Sequence, residues 1–248
     1  MNMLKQVHIA AQFLAAAGIS FIKKRGDDSH TNMGWSIDKQ ELSTWPLSEK
    51  GDRLSLSLKT FSLIWSNEKN RAEFSLNEKS YLEVITWIKS QAKSNLGMFY
   101  IYHLHYELPY PFPSNDFIYQ LTSRDELSKI SALFDAGQSS FTAVLKQQEL
   151  TSELRVWPHH FDLGAYIVPN ESLSIGFGLA IPDSTIDDFY FYVSGYNGGD
   201  SIETKNFKAL SIGEWQTEAW KAATLRATGF KKNNITAFLM EAIQAFRQ

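Results

Sequence analysis

Between residues 154 and 196 the chain reads as four short strands in close succession, over 154–157, 163–168, 173–181 and 189–196. Strand patterns this close together, separated by turn signals, predict a sheet whose strands pair antiparallel or in a mixed order. Asn170-Glu171 supplies the turn of the middle pair, and Asn197-Gly198-Gly199-Asp200 is a strong turn after the last strand. Upstream, Leu54, Leu56 and Leu58 alternate, and Phe61, Leu63 and Trp65 alternate in the opposite parity. The shift predicts two strands or a bulge near Lys59-Thr60. Short strands are also expected over 72–76, 98–108, 117–121 and 220–227.

Helical spacing marks the rest. Leu4, Val7, Ala11, Leu14, Gly18 and Phe21 form a stripe that predicts an amphipathic helix over 3–24, ending near Gly26 and interrupted in its apolar run by His8 and Gln12. With Lys5 as the only early base, this reads as a mature helix rather than a signal peptide. Residues 27–47 read as a long irregular connection. Ser80 opens a second helix that Gly97 stops, and Ser123 with Glu126 reads as a capping box. The helix that follows carries Leu127, Ile130, Leu133 and Phe134, with a break expected at Gly137. Ile235, Phe238, Leu239, Ala242, Ile243 and Phe246 mark a C-terminal helix. The fold class is α+β, a mixed or antiparallel sheet flanked by helices, with the N- and C-terminal helices packed on it. One domain over 1–248 is expected, with two similar α+β halves split near 150 as the alternative.

Composition narrows the chemistry. A chain of 248 residues with 44% hydrophobic and 21% charged residues is ordinary for a globular protein. A net charge of −3 argues against nucleic acid as a partner, because phosphate backbones require a basic face. No stretch is long and apolar enough to span a bilayer. Zero cysteines exclude disulfides, thiolate metal sites and cysteine nucleophiles, so any metal here is bound by nitrogen and oxygen.

Four of the six histidines fall in two clusters. On a strand, His103, His105 and Glu107 would share one face, opposite Tyr102, Leu104 and Tyr106. A half-solvated strand shows the same alternation without any function. In Trp157-Pro158-His159-His160-Phe161-Asp162, a regular strand would put His160 and Asp162 on one face, where the carboxylate would orient the imidazole. The loop Asp27-Asp28-Ser29-His30-Thr31-Asn32 offers further nitrogen and oxygen ligands, with Trp35 beyond it; capping and solvated-turn roles account for the same residues. Ser172, Ser174, Gly176, Gly178 and Ala180 leave one strand face bare, for a helix or a ligand to fill. Tyr190 and Tyr192 share a face and could lend hydroxyls to a pocket.

The segments Asp27-Asp28-Ser29-His30-Thr31-Asn32, His103-Leu104-His105-Tyr106-Glu107-Leu108-Pro109-Tyr110, Arg155-Val156-Trp157-Pro158-His159-His160-Phe161-Asp162 and Gly178-Leu179-Ala180-Ile181-Pro182-Asp183 with Tyr190-Phe191-Tyr192 together resemble an uncharacterised bacterial family of about this length. The Trp-x-His-His-Phe-Asp core is similar to that of a broader domain-of-unknown-function family. The resemblance implies a bacterial, cytoplasmic protein and brings no activity with it.

The expectation is therefore an enzyme using a divalent metal (Zn, Ni, Fe or Mn) or His/carboxylate acid–base chemistry on a small polar substrate. His103, Glu107, His160 and Asp162 are its catalytic candidates. His103, His105, His159 and His160, with His30, are its metal candidates. The alternative is a non-catalytic small-molecule-binding module whose pocket includes Trp35, Trp157, Tyr190 and Tyr192.

Overall fold

The computed structural model describes residues 2–111, 113–114, 116–229 and 231–248. Among the described residues, twelve strands and four α-helices make an α+β fold in which sheet dominates, and the pairings described are antiparallel. The chain divides into two compact units: Met1–Ala132 with Val156–His160, and Leu133–Arg155 with Phe161–Gln248.

In the first unit, β1 (Met33–Ser36), β2 (Glu41–Thr44), β3 (Arg53–Ser57), β4 (Ser62–Ser66), β5 (Arg71–Ser75) and β6 (Arg155–Trp157) lie in the order β6-β1-β2-β3-β4-β5. The parity shift at Lys59-Thr60 is the turn between β3 and β4, closed by Phe61 in the left-handed region at φ 53°. Gln40, also at φ 53°, closes the β1–β2 turn in the same way. Thus much of 27–47, expected to be irregular, is a hairpin. Its strands are only four residues each, too short to show a period.

Helix α1 (Met3–Phe21) packs on β2 and β3. It is not amphipathic: every residue from Gln6 to Gly18 is buried. A helix buried on all sides reads apolar all round, and the stripe in the sequence was only part of that surface. The covering on its other side is the segment 98–121. This segment was expected to begin with a strand, but among its described residues it forms no ladder, and its one bridge there joins Ile118 to Ser80. Pro109, Pro111 and Pro113 remove backbone donors, and α1 supplies side-chain partners instead. Gln6 bonds Gln120 twice, Nε2 to its carbonyl and Oε1 from its amide, each at 2.8 Å. Tyr100 donates to the Phe13 carbonyl at 3.2 Å. Helix α2 (Tyr81–Leu96) has the expected ends: Ser80 and Glu83 form a capping box, and Gly97 takes φ 68°.

Helix α3 (Arg124–Gln147) runs through Gly137 without a break. A Cβ at Gly137 would lie 3.3 Å from the Phe141 ring, so the glycine serves close packing rather than a stop. In the second unit, β7 (Asp162–Ile167), β8 (Leu173–Ala180), β9 (Tyr190–Asn197), β10 (Asp200–Ser201), β11 (Glu214–Gln216) and β12 (Ala222–Arg226) are ordered β11-β12-β9-β8-β7, with β10 on β9. Helix α4 (Lys232–Phe246) lies on β8, β9 and β12, and its Phe246 ring fills the space at Gly195, where a Cβ would be 2.4 Å away. Among the described residues, no helix is long and apolar enough to cross a membrane.

Candidate functional site

Five of the six histidines gather in the first unit around α1, the segment 98–121 and the turn after β6. The organising atom is the carbonyl oxygen of Pro158. It accepts from His8 Nε2 at 2.8 Å and from Gln12 Nε2 at 2.9 Å. Because a carbonyl only accepts, the His8 proton sits on Nε2, and Nδ1 is left to accept from the Tyr110 hydroxyl at 2.5 Å. Gln12 completes the set by accepting from the Tyr106 hydroxyl at 2.7 Å through Oε1. Burial pushes the His8 imidazole down to about 4, against a smaller opposing effect of the Pro158 bond; His160 and His159 lower it further. His8 is therefore neutral at pH 7, in the tautomer its partners require.

This network fixes the chain from which His159 and His160 project. The regular strand considered for His160 and Asp162 does not form: 158–161, between the strands expected over 154–157 and 163–168, is a turn, and Phe161 closes it at φ 57°. Phe61 and Gln40 close their hairpin turns in the same left-handed region. The His159 and His160 rings are 4.1 Å apart between centroids, His159 half-buried and His160 exposed. Tyr106 lies 5.6 Å from the His159 ring and 5.3 Å from the His105 ring. Burial lowers His159 to about 4, with smaller lowering from His160 and His105 and an opposing effect of Asp28.

His105 Nε2 faces Asp28 Oδ2 at 3.3 Å, both partly exposed. Behind them His30 is buried, and its Nδ1 accepts from the Arg25 amide at 3.4 Å. Burial lowers the His30 imidazole, partly opposed by Asp28. Its backbone is pressed against α1 at Gly18, where a Cβ would lie 2.3 Å from the His30 carbonyl oxygen.

The remaining sequence candidates distribute differently. His103 and Glu107 share the exposed side of their segment with His105, as the alternation predicted, although no strand forms there. Neither makes a side-chain hydrogen bond among the described residues. Trp35 is buried on β1, and Trp157 is half-buried at the end of β6. The expected His160–Asp162 strand pair is replaced: Asp162 begins β7 in the second unit and accepts from the Tyr192 hydroxyl at 2.6 Å. Tyr190 likewise donates to Asp183 at 2.6 Å, and both rings lie against Trp220. Tyrosine side chains lie against the bare face of β8 at its glycines. A Cβ on Gly178 would stand 2.9 Å from the Tyr192 ring, and one on Gly176 3.8 Å from Tyr166. Among the described residues, no three His, Asp or Glu side chains are grouped to hold a metal ion.

His8, Gln12, Tyr106 and Tyr110 did not stand out as site residues. The signal for the first two was present, because a histidine and a glutamine one turn apart inside an apolar helix must find buried partners. The tyrosines lie opposite the histidines that drew attention. No protein-family model, curated protein or solved structure matches the chain.

Proposed function

We propose that the histidine face of the first unit is an acid–base site for a small polar substrate. The observation that supports this most is the Pro158 carbonyl held by His8 and Gln12, because it devotes a buried polar network to fixing the His159–His160 turn. Buried polar groups must be fully paired or they destabilise the fold, and a satisfied network holds the chain it contacts rigidly. In this reading His105 is the base. Asp28 holds its proton on Nε2 and leaves Nδ1 free to take one from the substrate. His159, kept neutral by burial, hydrogen-bonds the substrate, and exposed His160 shuttles protons to solvent.

A divalent metal is the second reading of the same side chains. Its support is the close pair His159 and His160, because a metal ligand must be a neutral imidazole. Titration of the protein with Zn²⁺ and Ni²⁺, followed in the imidazole NMR signals, separates the two. Acid–base chemistry predicts that His105, His159 and His160 signals respond to substrate-like polar metabolites in a melting-shift library and that His105→Ala abolishes the response. Stoichiometric metal binding lost in His159→Ala favours the second reading. If neither metabolites nor metals perturb these signals, both readings fail.

A further inference from the structure

A small cavity in the first unit has chemistry unlike that of the histidine face. It is about 110 Å³ and is lined by Gln40, Leu58, Lys59, Arg124, Leu127, Ser128 and Ser131. Its size excludes a metabolite of ordinary dimensions, which needs several hundred Å³, and suits a small ion or one end group. Two of its lining residues are cations and none is a carboxylate. Among the described residues, neither Lys59 nor Arg124 takes part in an ion pair. Both cations are exposed, so their mutual repulsion is modest, and an anion between them would meet two positive charges.

The neutral lining residues add hydrogen-bond donors. Gln40 uses both backbone groups in the hairpin, its amide to the Ser36 carbonyl at 2.8 Å and its carbonyl from the Leu58 amide at 3.0 Å. Its side chain lines the cavity and makes no hydrogen bond among the described residues. Ser128 and Ser131 stand close to one turn apart on α3, Ser131 almost fully buried. Glu41 beside Gln40 and Asp125 and Glu126 beside Arg124 do not line the cavity, and Glu41 is paired with Arg71 at 3.3 Å. Glu126 instead accepts from the Met3 amide at 2.9 Å, which ties it to the start of α1.

We infer that this cavity binds a tetrahedral oxyanion, a phosphate group held by Arg124 and Lys59 and hydrogen-bonded by Gln40, Ser128 and Ser131. A guanidinium presents paired donors that match such an anion, and lysine adds a point charge. The shared chemistry is the phosphate group, whether free or at the end of a phosphate monoester. The inference does not depend on the histidine face.

The test uses the full chain. Inorganic phosphate and phenyl phosphate are titrated at constant ionic strength against chloride, followed by calorimetry and by amide NMR shifts. The expected result is saturable binding with shifts at Gln40, Lys59, Ser128 and Ser131, weakened roughly tenfold or more in Arg124→Gln and in Lys59→Gln. Both substituted residues are exposed, so the variants should keep the wild-type melting temperature in chloride. Tighter binding of inorganic phosphate identifies a free-ion site, and tighter binding of phenyl phosphate an end-group site. Linear, non-saturating shifts, or binding equal in wild type and both variants, would overturn the inference.

Discussion

His8 and Gln12, one turn apart on α1, share a single acceptor, the Pro158 carbonyl. The arrangement works only while His8 is neutral, because Tyr110 donates to its other nitrogen. Protonation would set two donors against each other in a buried site.

Stability should therefore depend on pH in a defined window. The unfolded chain protonates His8 near 6.5 and the folded protein only near 4. Between these values the unfolded state holds more protons, so stability is complete above 6.5 and declines as pH falls towards 4. The expected loss is about 3 kcal/mol from this group. Urea unfolding at pH 7 and pH 4.5 measures it, and His8→Gln should flatten the slope; an equal slope in the variant would assign the effect elsewhere.

Gln12→Leu keeps the side-chain volume and removes both donated bonds and the acceptor of Tyr106. A destabilisation of about 2–4 kcal/mol is expected, because a buried hydroxyl loses its partner. The His159 and His160 imidazole signals should shift in the folded variant. A stable variant with unmoved imidazole signals would show that the turn does not need this support.

Gly18→Ala should destabilise, against the usual gain of about 1 kcal/mol when alanine replaces a helical glycine. The added methyl would meet the His30 carbonyl, which is backbone and cannot step aside cheaply. A lowered melting temperature, with the largest amide shifts in Ser29–Thr31, is the expected outcome.

Tyr192→Phe should cost about 1–2 kcal/mol, since it leaves Asp162 without the hydroxyl that donates to it. Burial and then the Asp162 charge hold the Tyr192 phenol well above its usual range. Asp162→Asn should consequently lower the Tyr192 phenol, which the alkaline absorbance of the folded protein reports by difference from Tyr192→Phe. An unchanged titration would mean that burial alone sets it.

Where the sequence carried a strong local period or a cap, the element followed. The parity shift at Lys59-Thr60, the start of α2 at Ser80 with its stop at Gly97, and the strands after 161 all rest on local chemistry. Residues 33–44 escaped because four-residue strands carry no period, and 98–108 misled because an extended strap over a helix alternates as a strand does. That alternation still assigned faces correctly: His103, His105 and Glu107 point outward, Tyr102 and Tyr106 inward. Reading function into the outward face alone hid the tyrosines that hold His8 and Gln12. Asp162 was paired by sequence proximity with His160, whereas a glycine at position 178 makes room for the Tyr192 ring beside it.

The partners of the Pro158 carbonyl lie 150 and 146 residues away along the chain. The first unit is closed by Val156–His160, a five-residue return that follows synthesis of 133–155. A nascent chain halted before that return carries α1 without the carbonyl that His8 and Gln12 share, and Gln12 keeps only its bond to the His8 carbonyl. Contacts this distant in sequence form slowly, so the histidine face is assembled late, and its imidazole signals mark the point at which the unit is complete.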